Sequence, residues 1–134
     1  MIHKTEQEWR EQLTELEYEV LRNSGTELAF TGKYTDHFEA GTYLCKACHF
    51  PLFGSDDKYH SGCGWPAFKG ELDNANIIRK ADSSWGMKRV ELLCSNCGSH
   101  LGHVFEDGPP PVYERYCINS VCLTFVSEPS NKPE

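Results

Sequence analysis

The sequence has no apolar run approaching the roughly 18 residues that a membrane-spanning helix needs. It also has no excess of basic residues, because 13 Lys and Arg stand against 20 Asp and Glu, for a formal net charge of −7. An acidic chain has no electrostatic attraction to a phosphate backbone or an anionic membrane surface. We therefore expect neither nucleic acid nor a membrane as a partner.

Signals for export and for division into domains are also missing. Residues 1–10 are polar and charged, without the apolar stretch of a secretory signal, so we expect a reducing, cytoplasmic location. No low-complexity block or linker divides the 134 residues, and this length is typical of one domain. We expect a single domain over residues 1–134, with a helical segment at 1–24 and a polar, frayed tail at 127–134.

The cysteine content is high, but the seven thiols are an odd number and do not form a complete disulfide framework. Reduced thiols are also the norm in the expected compartment. Four of the cysteines fall into two CxxC motifs, and three stand alone. The isolated cysteines are Cys63, Cys117 and Cys122.

The N-terminal segment has the features of helices. Thr5 with Glu8, and Thr14 with Glu17, are capping-box pairs, which predict two short helices or one bent helix that ends before Gly25. The residues expected on one apolar face are Trp9, Leu13, Leu16 and Val20.

After Gly25 the helical period disappears, and glycine and proline separate short β-prone segments. This pattern predicts a mainly β fold with the N-terminal helices packed on its outside. The predicted strands are 42–45, 51–53, 88–94, 103–105, 116–119 and 123–126.

The two CxxC motifs predict one structural zinc site. Cys45 and Cys48, and then Cys94 and Cys97, supply four thiolates, which complete a tetrahedral site and leave no open position for substrate. The long separation between the motifs means that the zinc would join distant strand ends. Two redox-active CxxC motifs, four buried thiols or an iron–sulfur cluster are the alternatives.

Two of the isolated cysteines are candidates for thiol chemistry. Cys63 lies between two glycines in an accessible loop, and Cys117 lies in a predicted strand with Arg115 and Asn119 on the same face. Arg115 can favour a thiolate at Cys117, although both cysteines can equally be ordinary thiols. Cys122 has apolar neighbours and is expected to be a buried thiol.

Two histidines and a tryptophan accompany these thiols. His100 and His103 directly follow the second CxxC motif, where they can serve as acid–base groups or as structural side chains. Trp65, two residues after Cys63, is either a core residue or a wall against which an S-methyl group packs.

Taken together, these motifs resemble the methionine-R-sulfoxide reductase B family. The resemblance rests on Ser-Gly-Cys-Gly-Trp-Pro at 61–66, His-Leu-Gly-His-Val-Phe at 100–105 and Arg-Tyr-Cys-Ile-Asn-Ser at 115–120. It also includes Gly-Thr-Glu at 25–27 and Phe-Thr-Gly at 30–32, and it extends over nearly the whole chain.

The resemblance implies a fold of two antiparallel β-sheets and a thiol-dependent reduction of methionine-R-sulfoxide, in proteins or free. Cys117 would be the nucleophile and would become a sulfenic acid. Cys63 would be the resolving thiol, and thioredoxin would reduce the resulting Cys63–Cys117 disulfide. The resemblance also implies a monomer.

The other implied roles concern the substrate. His103 would protonate the sulfoxide oxygen, with His100 in support, and Asn119 would donate a hydrogen bond near the oxygen or the thiolate. Trp65 would hold the methyl group, and Phe105 would line the same pocket.

The chain departs from the family pattern at several positions. Trp85 stands where histidine is common, Tyr113 where glycine is usual, and Leu28 and Ala29 where prolines are frequent. Cys122 replaces a small residue and is a second candidate for the resolving thiol.

Two other functional classes compete with this interpretation. A zinc-ribbon module that binds protein explains the CxxC motifs alone, and a general disulfide reductase would use the Cys63–Cys117 couple without acting on sulfoxides.

Overall fold

The computed structural model describes residues 4–127, so residues 128–134 of the predicted tail lie outside the described part. The N-terminal segment forms two helices, α1 (Glu6–Gln12) and α2 (Glu15–Asn23). Each helix begins with a complete capping box, in which the threonine hydroxyl and the glutamate three residues later accept each other's backbone N–H. The second capping box starts a new helix, which is why one bent helix does not form.

One prediction about the apolar face of the helices is wrong, because the chain forms two separate helices. Trp9, Leu13 and Val20 are buried as expected, but Leu16 is 54% exposed. The chain leaves the helical conformation at Leu13, so the period does not run on from α1 into α2. Neither helix of the described part is long and apolar enough to cross a bilayer.

The rest of the described chain forms two antiparallel sheets, which confirms the mainly β fold class. The smaller sheet has the order β2-β1-β9, and the larger has the order β3-β4-β8-β7-β6-β5. The strands are β1 (Gly41–Cys45), β2 (Pro51–Gly54), β3 (Lys58–Tyr59), β4 (Ala67–Phe68), β5 (Ile78–Asp82), β6 (Arg89–Leu93), β7 (His100–Phe105), β8 (Arg115–Ile118) and β9 (Leu123–Ser127).

Three of these strands were not predicted. β3 and β4 have two residues each, which is too short for an alternating pattern, and β5 carries mostly polar residues along the edge of its sheet. β7 also begins three residues before the predicted strand, at His100. The larger sheet therefore extends further than the sequence indicates.

The core joins the two sheets and the helices. Phe53 from the smaller sheet stacks on Phe68 from the larger one, with ring centroids 4.3 Å apart, and Tyr43 meets Phe68 edge to face. Trp9 of α1 is buried beneath the guanidinium of Arg22. The helices thus cover the outside of the β core and contribute side chains to it.

The centre of the larger sheet depends on a glycine. Gly102 of β7 lies opposite Ile118 of β8, and a Cβ atom at this position would lie 2.0 Å from the carbonyl oxygen of Cys117. This contact is with backbone, so a side chain could be accommodated only by moving β8. The absence of a side chain at position 102 therefore sets the position of Cys117.

We expect Gly102→Ala to destabilise the fold by about 1–3 kcal/mol, because it forces β7 and β8 apart. Urea unfolding of the metal-loaded protein measures this change. Gly70→Ala is the matched control, since the nearest atom to its added Cβ is 3.8 Å away, and its midpoint should stay within error. Equal midpoints for the two variants would contradict the close approach of β8.

Candidate active site and metal centre

The four cysteines of the CxxC motifs form one cluster. Their sulfur atoms all lie within 4.8 Å of one another, and the Cys45–Cys97 and Cys48–Cys94 pairs are separated by 3.8 and 3.7 Å. A tetrahedron with Zn–S bonds of about 2.3 Å has edges of about 3.8 Å. The cluster can therefore hold one metal ion, and its donors and spacing fit the predicted structural zinc.

The two motifs form the same turn. The N–H of His49 donates to the carbonyl of Cys45 at 2.7 Å, and the N–H of Gly98 donates to the carbonyl of Cys94 at 2.8 Å. Both donor residues have a left-handed backbone, with φ of 64° and 78°. Glycine accepts this conformation without strain, so Gly98 suits the second turn.

The cluster connects three parts of the fold. Cys45 ends β1 of the smaller sheet, while Cys94 directly follows β6 of the larger sheet. From the helices, Gln12 donates to the carbonyl of Ala47 at 2.6 Å, and Arg22 donates to the carbonyl of Cys97 at 3.0 Å. With four thiolate ligands, a metal here has no free position and serves the structure rather than the reaction.

A second pair of thiols lies apart from this cluster. Cys117 on β8 pairs with Ala67 on β4 and with His103 on β7, and Cys63 lies in the loop before β4. The sulfur atoms of Cys63 and Cys117 are 3.9 Å apart. A disulfide needs about 2.0 Å, so a small shift of the glycine-flanked loop closes the distance.

These thiols face a pocket of about 190 Å³, below the ~300 Å³ at which sites for drug-sized ligands begin. Of the predicted site residues, the pocket brings together Cys63, Trp65, His103, Phe105, Cys117 and Asn119. It also contains four residues that were not assigned to a substrate pocket, namely Thr26, Arg89, Gly102 and Arg115. His100 does not line the pocket.

His103 is held by a carboxylate that the sequence did not indicate. Its Nε2 lies 2.8 Å from Oδ2 of Asp82, the last residue of β5, and Arg89 lies 3.3 Å from the same oxygen. Hydrogen bonds from the Ser84 hydroxyl and from His103 hold the pKa of the Asp82 carboxyl well below its usual range. Asp82 is followed by two serines and belongs to no recognisable motif, so the sequence does not mark it as a partner of His103.

His100 occupies a deeper position than His103. It is 3% exposed, and its Nδ1 lies 2.7 Å from Oε2 of Glu91. Burial lowers the pKa of His100, and the hydrogen bond to Glu91 opposes this effect. Its ring centroid is 5.5 Å from that of His103, so His100 packs next to the acid–base candidate rather than beside the thiols.

Asn119 and Trp65 are both anchored to Glu27. The side-chain oxygen of Asn119 accepts the Glu27 N–H at 3.0 Å, and the indole N–H of Trp65 donates to the Glu27 carbonyl at 3.1 Å. The amide nitrogen of Asn119 donates to the carbonyl of Leu101 at 3.1 Å, and the residue is 3% exposed. Its polar atoms are therefore engaged with backbone in this structure.

The two active-site thiols influence each other's ionisation. A hydrogen bond from Cys117 lowers the pKa of Cys63 to about 5, against the effect of burial. The same hydrogen bond, together with burial, raises the pKa of Cys117, and the positive charge of Arg115 opposes this. Arg115 is itself fixed by Asp107, at 2.8 and 3.1 Å. The hydrogen bond between the two thiols thus favours the thiolate at Cys63.

Two of the positions that depart from the family pattern lie outside the pocket. Cys122 is fully buried, and its thiol donates to the carbonyl of His100 at 3.2 Å. Tyr113 is exposed and has a φ of 63°, a conformation that favours the glycine usual there. Neither residue contributes to the wall around the thiols.

Comparison with known proteins places this geometry in a family. Residues 13–127 match the sequence model of the SelR domain. Peptide methionine sulfoxide reductase MsrB of Hahella chejuensis is 53% identical over 126 residues, which cover 94% of this chain and 91% of the relative. The MsrB protein of Methylibium petroleiphilum is 54% identical over 124 residues, covering 92% and 90%, and that of Methanosarcina barkeri is 50% identical over 131 residues, covering 98% and 92%.

The match spans the four-cysteine cluster, the thiol couple and the histidines of β7 together. A zinc-ribbon module would account for the cluster alone. The chain belongs to the SelR-domain family of MsrB peptide methionine sulfoxide reductases.

Proposed function

We propose that the chain reduces the R epimer of methionine sulfoxide, in proteins and as the free amino acid, by means of the Cys63–Cys117 couple. The observation that carries this proposal is the approach of the two sulfur atoms to 3.9 Å at the wall of a pocket that also contains His103. Thiol chemistry needs such a pair, and transfer of a sulfoxide oxygen needs a nearby proton donor.

In the first step, the sulfur of Cys117 attacks the sulfoxide sulfur. Cys63, 3.9 Å away and ionised, takes up the proton of Cys117 as the attack proceeds. His103 protonates the sulfoxide oxygen, which is transferred to Cys117. The products are methionine, reduced by two electrons, and a Cys117 sulfenic acid, oxidised by two.

In the second step, Cys63 attacks the sulfenic sulfur of Cys117. The S–S bond forms as the S–O bond breaks, and the hydroxyl leaves as water after taking up a proton. A dithiol then reduces the disulfide. Cys63 is suited to receive this reductant because it also lines a second groove, next to Tyr59, His60 and Asp107. We propose thioredoxin as the reductant and the cytoplasm as the location.

The pocket wall explains the proposed stereochemical preference. The methyl group would pack against the ring of Trp65, whose orientation is fixed by its hydrogen bond to Glu27. The sulfoxide oxygen would point towards His103, and the rest of the substrate would extend past Phe105 and out of the pocket. Three different positions for three substituents discriminate between the epimers. Asn119 supports the wall, and His100 supports β7 from the buried side.

The four-cysteine cluster would contribute to this reaction by stabilising the fold that carries the pocket. Zinc held by Cys45, Cys48, Cys94 and Cys97 would supply a rigid link between the two sheets. No catalytic step needs the metal. We also propose that residues 1–134 work as one monomeric domain, with α1 and α2 as its N-terminal part.

The proposed roles predict different results when each of the two thiols is replaced. Cys117→Ser should produce no methionine even in a single turnover, because the attacking sulfur is gone. Cys63→Ser should still produce about one equivalent of methionine per chain, more slowly, and should lose most of its cycling with thioredoxin. Product analysis by chromatography, with each variant pre-reduced, separates these outcomes. Methionine from Cys117→Ser would contradict its role, and undiminished cycling of Cys63→Ser would transfer the resolving role to Cys122.

The ionisation of the couple can be measured by alkylation. Because Cys63 ionises near pH 5, it should react with iodoacetamide at about pH 6, before Cys117. Cys117→Ala removes the hydrogen-bond donor, so the midpoint of Cys63 alkylation should move upward towards that of a free thiol, about 8.5. Peptide mapping of the zinc-loaded protein identifies the modified residue. Earlier alkylation of Cys117, or an unchanged midpoint in Cys117→Ala, would contradict the assigned charge.

Cys94→Ser tests the metal centre. We expect it to lose about one zinc per chain and to melt at a lower temperature, because three thiolates leave the link between the sheets incomplete. Elemental analysis and calorimetry measure both effects. Cys63→Ser, the same replacement outside the cluster, should retain its zinc. A Cys94→Ser protein with full zinc content and an unchanged melting temperature would disprove the structural role.

A further inference from the structure

We infer that Asp82 is the positioning residue for His103 and fixes which imidazole nitrogen faces the substrate. This inference deepens the proposed function and rests on it, since it assumes that His103 supplies the proton to the sulfoxide oxygen. Neither the CxxC motifs nor the motifs around the thiols include Asp82, which lies on the edge strand β5.

The carboxylate of Asp82 is held on more than one side. Its Oδ1 accepts the Ser84 N–H at 3.0 Å and the Ser84 hydroxyl at 2.7 Å. Its Oδ2 lies 2.8 Å from Nε2 of His103 and 3.3 Å from the guanidinium of Arg89. A carboxylate with both oxygens bound in this way has little freedom, so it presents Oδ2 to the imidazole in one orientation.

The sheet brings Asp82 to His103 across an intervening strand. Asp82 on β5 pairs with Arg89 on β6, and His103 on β7 pairs with Glu91 on β6. Arg89 and Glu91 are two positions apart on β6, so their side chains lie on the same face. The Asp82 and His103 side chains therefore meet above β6, on the face that also carries Cys117, the β8 partner of His103.

The charge of Asp82 decides the tautomer of His103. An ionised carboxylate only accepts hydrogen bonds, so the proton of the shared contact belongs to Nε2 of the imidazole. That leaves Nδ1 as the nitrogen that gains and loses a proton on the substrate side.

Other charged groups surround His103 and must be compared with Asp82. Glu91 of β6 has its Oε2 at 2.7 Å from His100, so it is engaged with the other histidine. Arg89 opposes the effect of Asp82, and Arg115 and the Cys63–Cys117 couple lie across the pocket. Within residues 4–127, Asp82 is the hydrogen-bond partner recorded for the His103 ring.

The test replaces the charge and keeps the shape. In Asp82→Asn, ¹⁵N-detected NMR of the neutral His103 ring should no longer show the Nε2–H tautomer alone, because an amide can donate to Nε2 as well as accept from it. At about pH 7.5 the rate should fall about tenfold or more, with little change in substrate affinity.

Glu114→Gln is the matched control. Glu114 is also a carboxylate at the surface of the larger sheet, bound through both oxygens to the guanidinium of Arg79, and it does not line the pocket. Its amide variant should keep the Nε2–H tautomer of His103 and the single-turnover rate. Circular dichroism and melting of both variants exclude general unfolding as the cause.

Different results would overturn the role of Asp82 and the proposed reductase activity. An Asp82→Asn protein whose His103 ring keeps the Nε2–H tautomer overturns the inference even if its rate has fallen, because the loss of a merely structural residue would behave so. Failure of the wild-type chain to reduce either epimer would overturn the proposed function. The tautomer seen by NMR would then still decide whether Asp82 orients the ring of His103.

Discussion

The meeting of four thiols from two distant CxxC motifs is the constraint on which the rest of the structure depends. One motif continues β1 of the smaller sheet, and the other lies between β6 and β7 of the larger sheet. Stacked phenylalanines also join the sheets, but apolar packing tolerates sliding better than a tetrahedral metal site does. The second motif therefore fixes where β7 starts, and with it the position of every residue that β7 carries.

The site follows from this starting point. β7 begins at His100, only three residues after the last cysteine of the cluster. His103 lies three residues further along this strand, opposite Cys117. Gly102 lets β8 approach closely enough for Cys117 to reach the pocket. Cys63, by contrast, lies between two glycines in the loop that joins β3 to β4. The proposed reaction needs a nucleophile held by the sheet and a resolving thiol close enough to form a disulfide with it.

The sequence predicted those parts of the fold that local patterns encode. Capping boxes predicted both helices, and the paired CxxC spacing predicted the metal ligands, because each pattern corresponds to a single local geometry. The strands β3, β4 and β5 were missed since they are very short or polar, and they exist because neighbouring strands supply their hydrogen bonds. The predicted burial of Leu16 is wrong because the helical period does not continue across the break at Leu13.

The candidate site was predictable to a similar extent. Six of the predicted residues line one pocket, but the partners that orient them were not foreseen. Asp82 reaches His103 across β6, and Glu27 joins Asn119 to Trp65 through its backbone. Such contacts depend on strand register and on the path of the loops, and a short sequence motif determines neither. The ionisation of the couple likewise depends on the distance between two sulfur atoms that lie 54 positions apart in the chain.

The most direct test of the account is product analysis with the two separated epimers of a methionine-sulfoxide peptide, using the folded, zinc-loaded chain and dithiothreitol as reductant. The account predicts that the R epimer is converted to methionine and that the S epimer is recovered unchanged. Reduction of neither epimer, or of the S epimer alone, would contradict the proposed function.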